Sequence, residues 1–268
     1  MTIKISKNSI TRWRLVGWAF LCLIFLSLFV APKINEEKNR LVKKEITQFD
    51  NEDKISKEDI FKVYFIAGIL HRDGNSKIIK ENIKKELNSG GKEDIKVDVF
   101  DDVFYMHAEY QKESEIITAI QAKLHEDYSG AIKEDKKILV FSHSWGGILA
   151  KTAIAEFLTK VKDDLSSDEY AKLQGNIVLV TLATPHTLTY GSANLAKVQL
   201  EVPANVPGIK IFTFGGIFDV VVPVRFASIK DDDNQIAQNT FFKEMRATHM
   251  MFLNSSRIHH EIFDSIFK

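Results

Sequence analysis

The chain has 268 residues, with 36 Lys and Arg against 36 Asp and Glu, eight His and one Cys. A net charge of zero leaves no basic surplus to neutralise phosphates, which argues against a nucleic-acid-binding protein. One cysteine excludes an intrachain disulfide framework and a cysteine-rich metal site, and the length suits one α/β domain with an appendage.

The N-terminal segment is strongly apolar. Residues 15–31, LVGWAFLCLIFLSLFVA, carry no charge, and the residues before them include no acid and four bases, Lys4, Lys7, Arg12 and Arg14. The run is at the short end of the length that spans a membrane, and Phe29 fits poorly in a cleavage site at Ala31. We predict a cytoplasmic basic N-terminus (1–14), an uncleaved transmembrane signal anchor (15–31) and a charged stalk (32–58).

The positive-inside rule places the remainder of the chain on the outer side of the membrane. A bias toward Lys, Ile and Asn favours the periplasmic side of a bacterial inner membrane. A cleaved N-terminal segment is the alternative, and the protein would then be secreted.

From residue 59 onward, short apolar runs alternate with longer amphipathic ones. The apolar runs predict six strands, at 62–67, 95–100, 137–141, 177–182, 209–214 and 240–245. Apolar stripes between them predict helices, among them one with Ile78, Ile79, Ile83 and Leu87, one with Ile116, Ile117, Ile120 and Leu124, and one with Ile148, Leu149, Phe157 and Leu158. This alternation predicts an α/β domain over 59–268, with a mostly parallel sheet and helices on both faces.

A candidate nucleophile follows the third predicted strand. The strand leads into Ser142, His143, Ser144, Trp145, Gly146 and Gly147, after which a helix begins. A serine on a sharp strand-to-helix turn needs small residues two positions to either side, and Ser142 and Gly146 meet that requirement. The helix N-terminus favours an anion beside Ser144. The alternative is that Ser144 merely caps this helix.

This strand, turn and helix resemble the nucleophile elbow of the α/β-hydrolase superfamily, and the His-Ser-x-Gly-Gly sequence is most similar to its lipase and esterase branch. The resemblance covers about residues 60–268 and implies the α/β-hydrolase fold. In that superfamily an acid and then a histidine follow the serine along the chain. The resemblance therefore implies Asp219, after the fifth strand, as the acid and His249, after the last strand, as the base.

Other side chains compete for these roles. Asp231, Asp232 and Asp233 are alternative acids, and His186, His259 and His260 are alternative bases. We expect His259 and His260 to be solvated on the closing helix and His186 to be a structural part of its turn. His143 is expected to pack beside the site, since adjacent residues of an elbow point in different directions.

The resemblance also implies an oxyanion hole. One donor is the N–H of Trp145, and the other is the N–H of Ile69, with Gly68 as the alternative because Ala67 departs from the superfamily's pattern. The Trp145 side chain either lines a pocket or covers the helix start. A long loop after His186, residues 187–207, is a candidate lid or acyl-binding wall that residues 103–106 could face.

Together these features predict a membrane-anchored serine hydrolase that cleaves a small-molecule or lipid ester through an acyl-enzyme intermediate. No metal or organic cofactor is expected. An acyltransferase or a thioesterase on the same scaffold remains an alternative, because the acyl-enzyme step is shared. A non-catalytic binding protein is a further alternative, supported by the departures at Ser142 and Ala67. The sequence does not indicate the oligomeric state.

Overall fold

The computed structural model describes residues 53–68, 76–88, 97–100, 110–186, 206–229 and 239–268. All of them belong to one compact unit, Thr47–Lys268. The predicted anchor and all of the stalk before residue 53 lie outside the described residues. Among the helices within the described ranges, none combines the length and the apolar character that crossing a membrane demands.

Six parallel strands form one sheet. In chain order they are β1 (Ile60–Ile66), β2 (Val97–Phe100), β3 (Lys137–His143), β4 (Ile177–Leu182), β5 (Lys210–Gly216) and β6 (Thr240–Met245). Their order in the sheet is β2-β1-β3-β4-β5-β6, and every neighbouring pair is parallel. All six predicted strands are therefore confirmed, with shifts of a few residues at some ends.

In the described ranges, seven α-helices accompany the sheet. They are α1 (Lys77–Asn88), α2 (Tyr110–Glu134), α3 (Trp145–Val161), α4 (Ser167–Asn176), α5 (Val224–Ala227), α6 (Met251–Asn254) and α7 (Ser256–Ile266). The buried stripe of α1 consists of Ile79, Ile83 and Leu87. Ile78, predicted on the same stripe, is instead 40% exposed, because neighbouring helical residues point about 100° apart.

The helices lie in two layers, one on each face of the sheet. Val63 and Phe65 of β1 share a core with apolar residues of α1, α6 and α7, whereas Tyr64 and Ile66 share the opposite core with α2, α3 and α4. Successive strand residues point to opposite faces, so a strand covered on both sides must be apolar throughout. All six residues of β4 are accordingly buried.

The winding of the chain reverses between β1 and β3. From β1 the chain passes to β2 on one side, and β3 then lies on the other side of β1. Loops diverge at such a point and leave a crevice at the carboxyl edge of the sheet. Gly68 follows β1 and Ser144 follows β3, so both lie at the carboxyl edge where the winding reverses. Asp219 and His249 follow β5 and β6 at the same edge.

Candidate active site

Ser144 occupies a sharp turn between β3 and α3. Its backbone angles are φ 53° and ψ −129°, a conformation that L-residues rarely adopt and that costs about 1–3 kcal/mol. The Ser144 N–H donates to the Leu182 carbonyl at 2.9 Å, which extends the pairing of β3 with β4 into the turn. Its hydroxyl makes no capping hydrogen bond to α3. The turn therefore presents Ser144 in a strained conformation that capping does not explain.

Two glycines let neighbouring backbone and side chains approach this turn. A Cβ on Gly146 would collide with the Ala67 carbonyl at the end of β1. A Cβ on Gly147 would collide with the Thr184 side chain, which follows β4. Both collisions are too close for small adjustments to relieve, so the strand ends pack against the elbow only because these positions are glycine.

The backbone after β1 lies directly beside the serine. A Cβ on Gly68 would be 2.7 Å from Ser144 Cβ and 3.3 Å from Ser144 Oγ. Trp145 is the first residue of α3, where a backbone N–H has no acceptor within the helix. Two of the predicted oxyanion donors are thus adjacent to the serine in space or in sequence. Ile69, the other predicted donor, lies outside the described residues.

The Trp145 side chain is buried rather than open to a pocket. Its Nε1–H donates to Glu113 Oε1 at 2.6 Å, and both side chains are almost fully buried between α2 and α3. Of the two predicted roles, the structure therefore favours covering the helix start. The sequence did not indicate Glu113, because no local pattern links it to a partner 32 positions away.

Asp219 and His249 form a hydrogen-bonded pair at the carboxyl edge. His249 Nδ1 lies 2.8 Å from Asp219 Oδ2, while Oδ1 accepts the N–H groups of Val221 and Val222 at 2.8 Å each. The Asp219 side chain is wholly buried and that of His249 is 13% exposed. An ionised carboxylate only accepts, so Nδ1 carries the hydrogen, and Nε2 is the basic nitrogen of the neutral ring.

His143 connects this pair to the elbow. Its ring is buried, and its centroid is 4.6 Å from that of His249. His143 Nε2 lies 3.1 Å from the His249 carbonyl, which can only accept, so Nε2 is the donor. Since His143 immediately precedes Ser144, this contact brings the β6 loop up to the elbow. The predicted packing role of His143 agrees with this geometry.

His186 lies in a different environment from His249. Its Nε2 donates to Thr181 Oγ1 at 2.8 Å, Thr181 donates to Thr213 Oγ1, and Thr213 donates to the Ala227 carbonyl. Burial, with a smaller contribution from the positive charge of Lys151, holds the pKa of His186 well below its usual range. His186 is therefore a neutral, structural ring, as predicted.

The prediction that His259 is solvated is wrong. Its side chain is buried, with Nδ1 2.7 Å from Asn82 Nδ2 and Nε2 2.9 Å from the Phe252 carbonyl. It lies on the face of α7 that packs against α1, and burial lowers its pKa. His260 is exposed as predicted and lies 3.4 Å from Asp264. Asp231, Asp232 and Asp233 lie outside the described residues.

Ser142 fits the elbow without a glycine at that position. It is fully buried, and its Oγ donates to the Val180 carbonyl at 3.1 Å. The candidate lid, apart from Val206 and Pro207, and residues 103–106 lie outside the described residues. In the part of the chain that the structure describes, no three His, Cys, Asp or Glu side chains come together as a metal site would require.

The helix that follows the nucleophile also contains a buried lysine. Lys151 is 0% exposed, and its Nζ has no hydrogen-bond partner among the described residues. Burial lowers its pKa to about 8. We did not predict a role for this residue from the sequence, although it is the one charged residue within 145–155 of α3, which was a usable signal.

Solved structures of several known proteins are similar to this chain. The esterase Pf2001 of Pyrococcus furiosus is 15% identical, with a TM-score of 0.50 over 79% of this chain and 84% of that one. The monoacylglycerol lipase of Paleococcus ferrophilus is 13% identical, with a TM-score of 0.46 over 79% and 95% of the two chains. The Bacillus licheniformis lipase BlEst2 is 14% identical, with a TM-score of 0.42 over 78% and 93%. No curated protein sequence matches the chain.

The sequence itself matches a known family. Residues 65–255, well over half of the chain, match the family described as "Putative serine esterase (DUF676)". The matched range begins within β1 and ends at the start of α7, so it includes the elbow and the Asp219–His249 pair. The protein therefore belongs to this serine esterase family, on an α/β-hydrolase-like fold with a parallel sheet and helices on both faces.

Proposed function

We propose that the protein is a membrane-anchored serine hydrolase that cleaves carboxylic esters with Ser144, Asp219 and His249 as its catalytic triad. The observation that carries this proposal is the Asp219–His249 hydrogen bond of 2.8 Å, held beside a strained serine elbow by His143. A buried carboxylate that orients a histidine next to a serine is the arrangement that activates a hydroxyl nucleophile.

The reaction proceeds in two halves. His249 Nε2 takes the proton from Ser144 Oγ as the oxygen attacks the ester carbonyl, and Asp219 stabilises the resulting imidazolium. Backbone N–H groups of Trp145 and of Ile69 or Gly68 stabilise the oxyanion. His249 then protonates the leaving alcohol, which departs and leaves an acyl-Ser144. A water molecule, deprotonated by His249, releases the acid and restores the serine.

The Asp219 environment supports the proposed role of this acid. Its two oxygens accept three hydrogen bonds, two from backbone N–H groups and one from the histidine, and its side chain is buried. These hydrogen bonds hold the Asp219 carboxylate in one orientation, which fixes the tautomer of His249.

A fluorophosphonate probe tests the nucleophile. We expect it to label the full-length protein and to spare the Ser144→Ala variant, because only an activated serine reacts. The matched control is Ser167→Ala, an exposed serine at the start of α4, which should be labelled like the wild type. Equal labelling of Ser144→Ala, or no labelling of folded wild type, refutes the triad. Product analysis with and without alcohol or amine acceptors then separates hydrolysis from acyl transfer.

The proposed membrane attachment rests on the sequence. Residues 15–31 carry no charge and follow four basic residues, which favours an uncleaved anchor with the N-terminus in the cytoplasm and the catalytic domain outside. An ester in the same membrane is then the nearest substrate. Resistance of the full-length protein to alkaline carbonate extraction is the expected result, and release into the supernatant would refute the anchor.

The side of the membrane is tested separately. Cys22 is the sole cysteine, so Cys22→Ala with Ser167→Cys provides one exposed thiol on the catalytic domain. A membrane-impermeant maleimide should modify this thiol in spheroplasts before lysis. Modification only after lysis would place the domain in the cytoplasm and contradict the proposal.

A further inference from the structure

Large exposed apolar side chains lie next to Asp219 and His249 along the chain. Among the described residues, five such side chains are exposed, and four of them flank this pair. We call these four the apolar rim: Phe218, Val220, Val221 and Met250, with exposures of 59%, 84%, 64% and 45%. The fifth, Ile78, lies on α1. Exposure of this kind, concentrated at one place, marks an interaction surface.

The rim belongs to two loops that are held side by side. The Phe218 N–H donates to the Ala247 carbonyl at 3.2 Å, and the Asp219–His249 hydrogen bond joins the same two loops. The Val221 and Val222 N–H groups bond to Asp219, which fixes the backbone of the first loop. The apolar side chains are therefore presented outward by a backbone that the acid and the histidine hold in place.

We propose that the apolar rim lies against a lipid bilayer when the protein acts, so that the ester enters the site directly from the lipid phase. This inference rests on the proposed function and adds the source of the substrate. Apolar side chains beside a catalytic site favour contact with acyl chains, because the transfer of apolar surface from water into lipid is favourable. The apolar face of an interfacial helix binds lipid in the same way.

The charges around the rim fit a lipid surface. Among residues 217–223 and 246–251, the formally charged side chains are Asp219, which is buried, and Arg246, which is exposed. An exposed arginine next to apolar side chains can bind anionic lipid headgroups. These two loops have no exposed carboxylate that would repel the same headgroups.

The chain also brings a bilayer within reach of the rim. Asp53 is near the amino ends of the strands, since its carbonyl accepts from Lys210 Nζ at the start of β5. The rim is at the opposite, carboxyl edge of the sheet. The seven residues of β5 separate the two edges by about 23 Å. The 21 residues between the predicted anchor and Asp53 can extend to about 70 Å. This length permits the carboxyl edge to turn toward the membrane.

A fluorophore at the rim tests the proposal without relying on activity. Cys22→Ala removes the only thiol, and Val220→Cys then accepts an environment-sensitive NBD label. The matched control is Ile78→Cys, which is exposed on α1. With the full-length protein in vesicles of phosphatidylcholine and phosphatidylglycerol, we expect a blue-shifted emission at position 220 that lipid-borne doxyl groups quench. Position 78 should show neither effect.

The outcomes separate this proposal from the function on which it rests. Fluorophosphonate labelling of Ser144 in the same samples, without an NBD response at 220, overturns the rim proposal alone. An NBD response without labelling overturns the hydrolase on which the proposal depends. A response that grows with protein density in the vesicles identifies a second copy of the chain as the occupant and also overturns the proposal.

A second variant tests the consequence for the substrate. Phe218→Ser combined with Val220→Ser should lower kcat/KM for an ester embedded in vesicles by about tenfold or more, with little change for a water-soluble short-chain ester. Ile78→Ser should change neither value. Equal losses on the two substrates would show damage to the site itself and overturn the proposal.

Discussion

His249 and His186 both follow strands at the carboxyl edge of the sheet, yet their surroundings are opposite. His249 donates to a buried carboxylate through Nδ1 and is partly exposed. His186 donates through Nε2 to a chain of threonine hydroxyls, and the positive charge of Lys151 helps to lower its pKa. A neighbouring carboxylate stabilises an imidazolium, whereas burial beside a cation destabilises it. The environment, more than the position after a strand, distinguishes the proposed base from a structural histidine.

The same contrast extends to the polar groups around each ring. Beside His249, both oxygens of the Asp219 carboxylate accept hydrogen bonds. Around His186, the side-chain atoms Lys151 Nζ, Thr184 Oγ1 and His186 Nδ1 are buried and have no hydrogen-bond partner among the described residues. Unsatisfied buried groups cost stability and contribute no orientation. The contrast can be tested by changing each region in turn.

Replacing each histidine separately by alanine should give the largest difference in kcat/KM between the two regions. We expect His249→Ala to lower kcat/KM by about 10⁵-fold, because it removes the proposed base. His186→Ala should lower it by less than about tenfold, since its neutral ring takes no proton in the reaction. Ester hydrolysis by the two full-length variants, with thermal unfolding to verify folding, measures both effects. Comparable losses of kcat/KM in the two variants would contradict the proposed difference in role between His249 and His186.

The acid should have the next largest effect. Asp219→Asn should lower kcat/KM by about 10⁴-fold, because an amide pointed at His249 Nδ1 disfavours the tautomer with a basic Nε2. The control is Asp264→Asn, which removes the other histidine–carboxylate pair, the exposed contact of His260 with Asp264 at 3.4 Å. That variant should retain full activity. If the two substitutions behave alike, Asp219 is not the orienting acid.

Much of the fold could be predicted because burial on both faces of a parallel sheet leaves continuous apolar runs. The strand β4 shows this directly, since all its residues are buried. The helix α4 was not predicted, because Leu173 and Asn176 are its only buried residues, although Ser166 and Glu169 form a capping box. The order of the strands could not be predicted, since apolar periodicity carries no information about which strands are neighbours.

The sharp turn at Ser144 and the contact of Asp219 with His249 could be predicted because local chemistry and chain order suffice for them. Ser144 lies between small residues on a strand-to-helix turn, and the superfamily's order then indicates an acid and a histidine after later strands. Contacts between segments that are far apart in the sequence could not be predicted in this way. His259 was expected in solvent because its partner Asn82 is 177 positions away. Lys151 was missed for a similar reason, since burial of a lysine depends on what covers it.

Lys151 should make stability depend on pH in a defined window. Burial lowers its folded-state pKa to about 8 from 10.5, so between these values the unfolded chain binds more protons than the folded one. The free energy of unfolding should therefore rise with pH across this window, by about 3 kcal/mol. Lys151→Met should lack this rise and be more stable than the wild type at neutral pH by a similar amount.

Chemical denaturation of the wild type and the variant at several pH values measures this difference. His186, whose pKa is lowered in part by the charge of Lys151, is already neutral in this range, so it should not contribute. The exposed lysine Lys133 provides the control, and Lys133→Met should keep the wild-type profile. A difference between wild type and Lys151→Met that stays constant from pH 7 to about 11 would show that the Lys151 ammonium is not penalised in the folded state.

Removal of one hydroxyl from the hydrogen-bonded threonines Thr181 and Thr213 should have the smallest effect. This test compares a hydroxyl that has hydrogen-bond partners with one that has none among the described residues. Thr181→Val leaves the Nε2–H of His186 and the acceptor of Thr213 without their partner, which should lower the free energy of unfolding by about 2 kcal/mol. Thr152→Val is the matched control, because the buried Oγ1 of Thr152 has no partner among the described residues, so its loss should be neutral or slightly stabilising. Both variants should retain wild-type ester hydrolysis, since neither hydroxyl is hydrogen-bonded to a residue of the proposed triad. If the two substitutions have equal costs, the chain from His186 to Ala227 does not contribute to holding this half of the carboxyl edge.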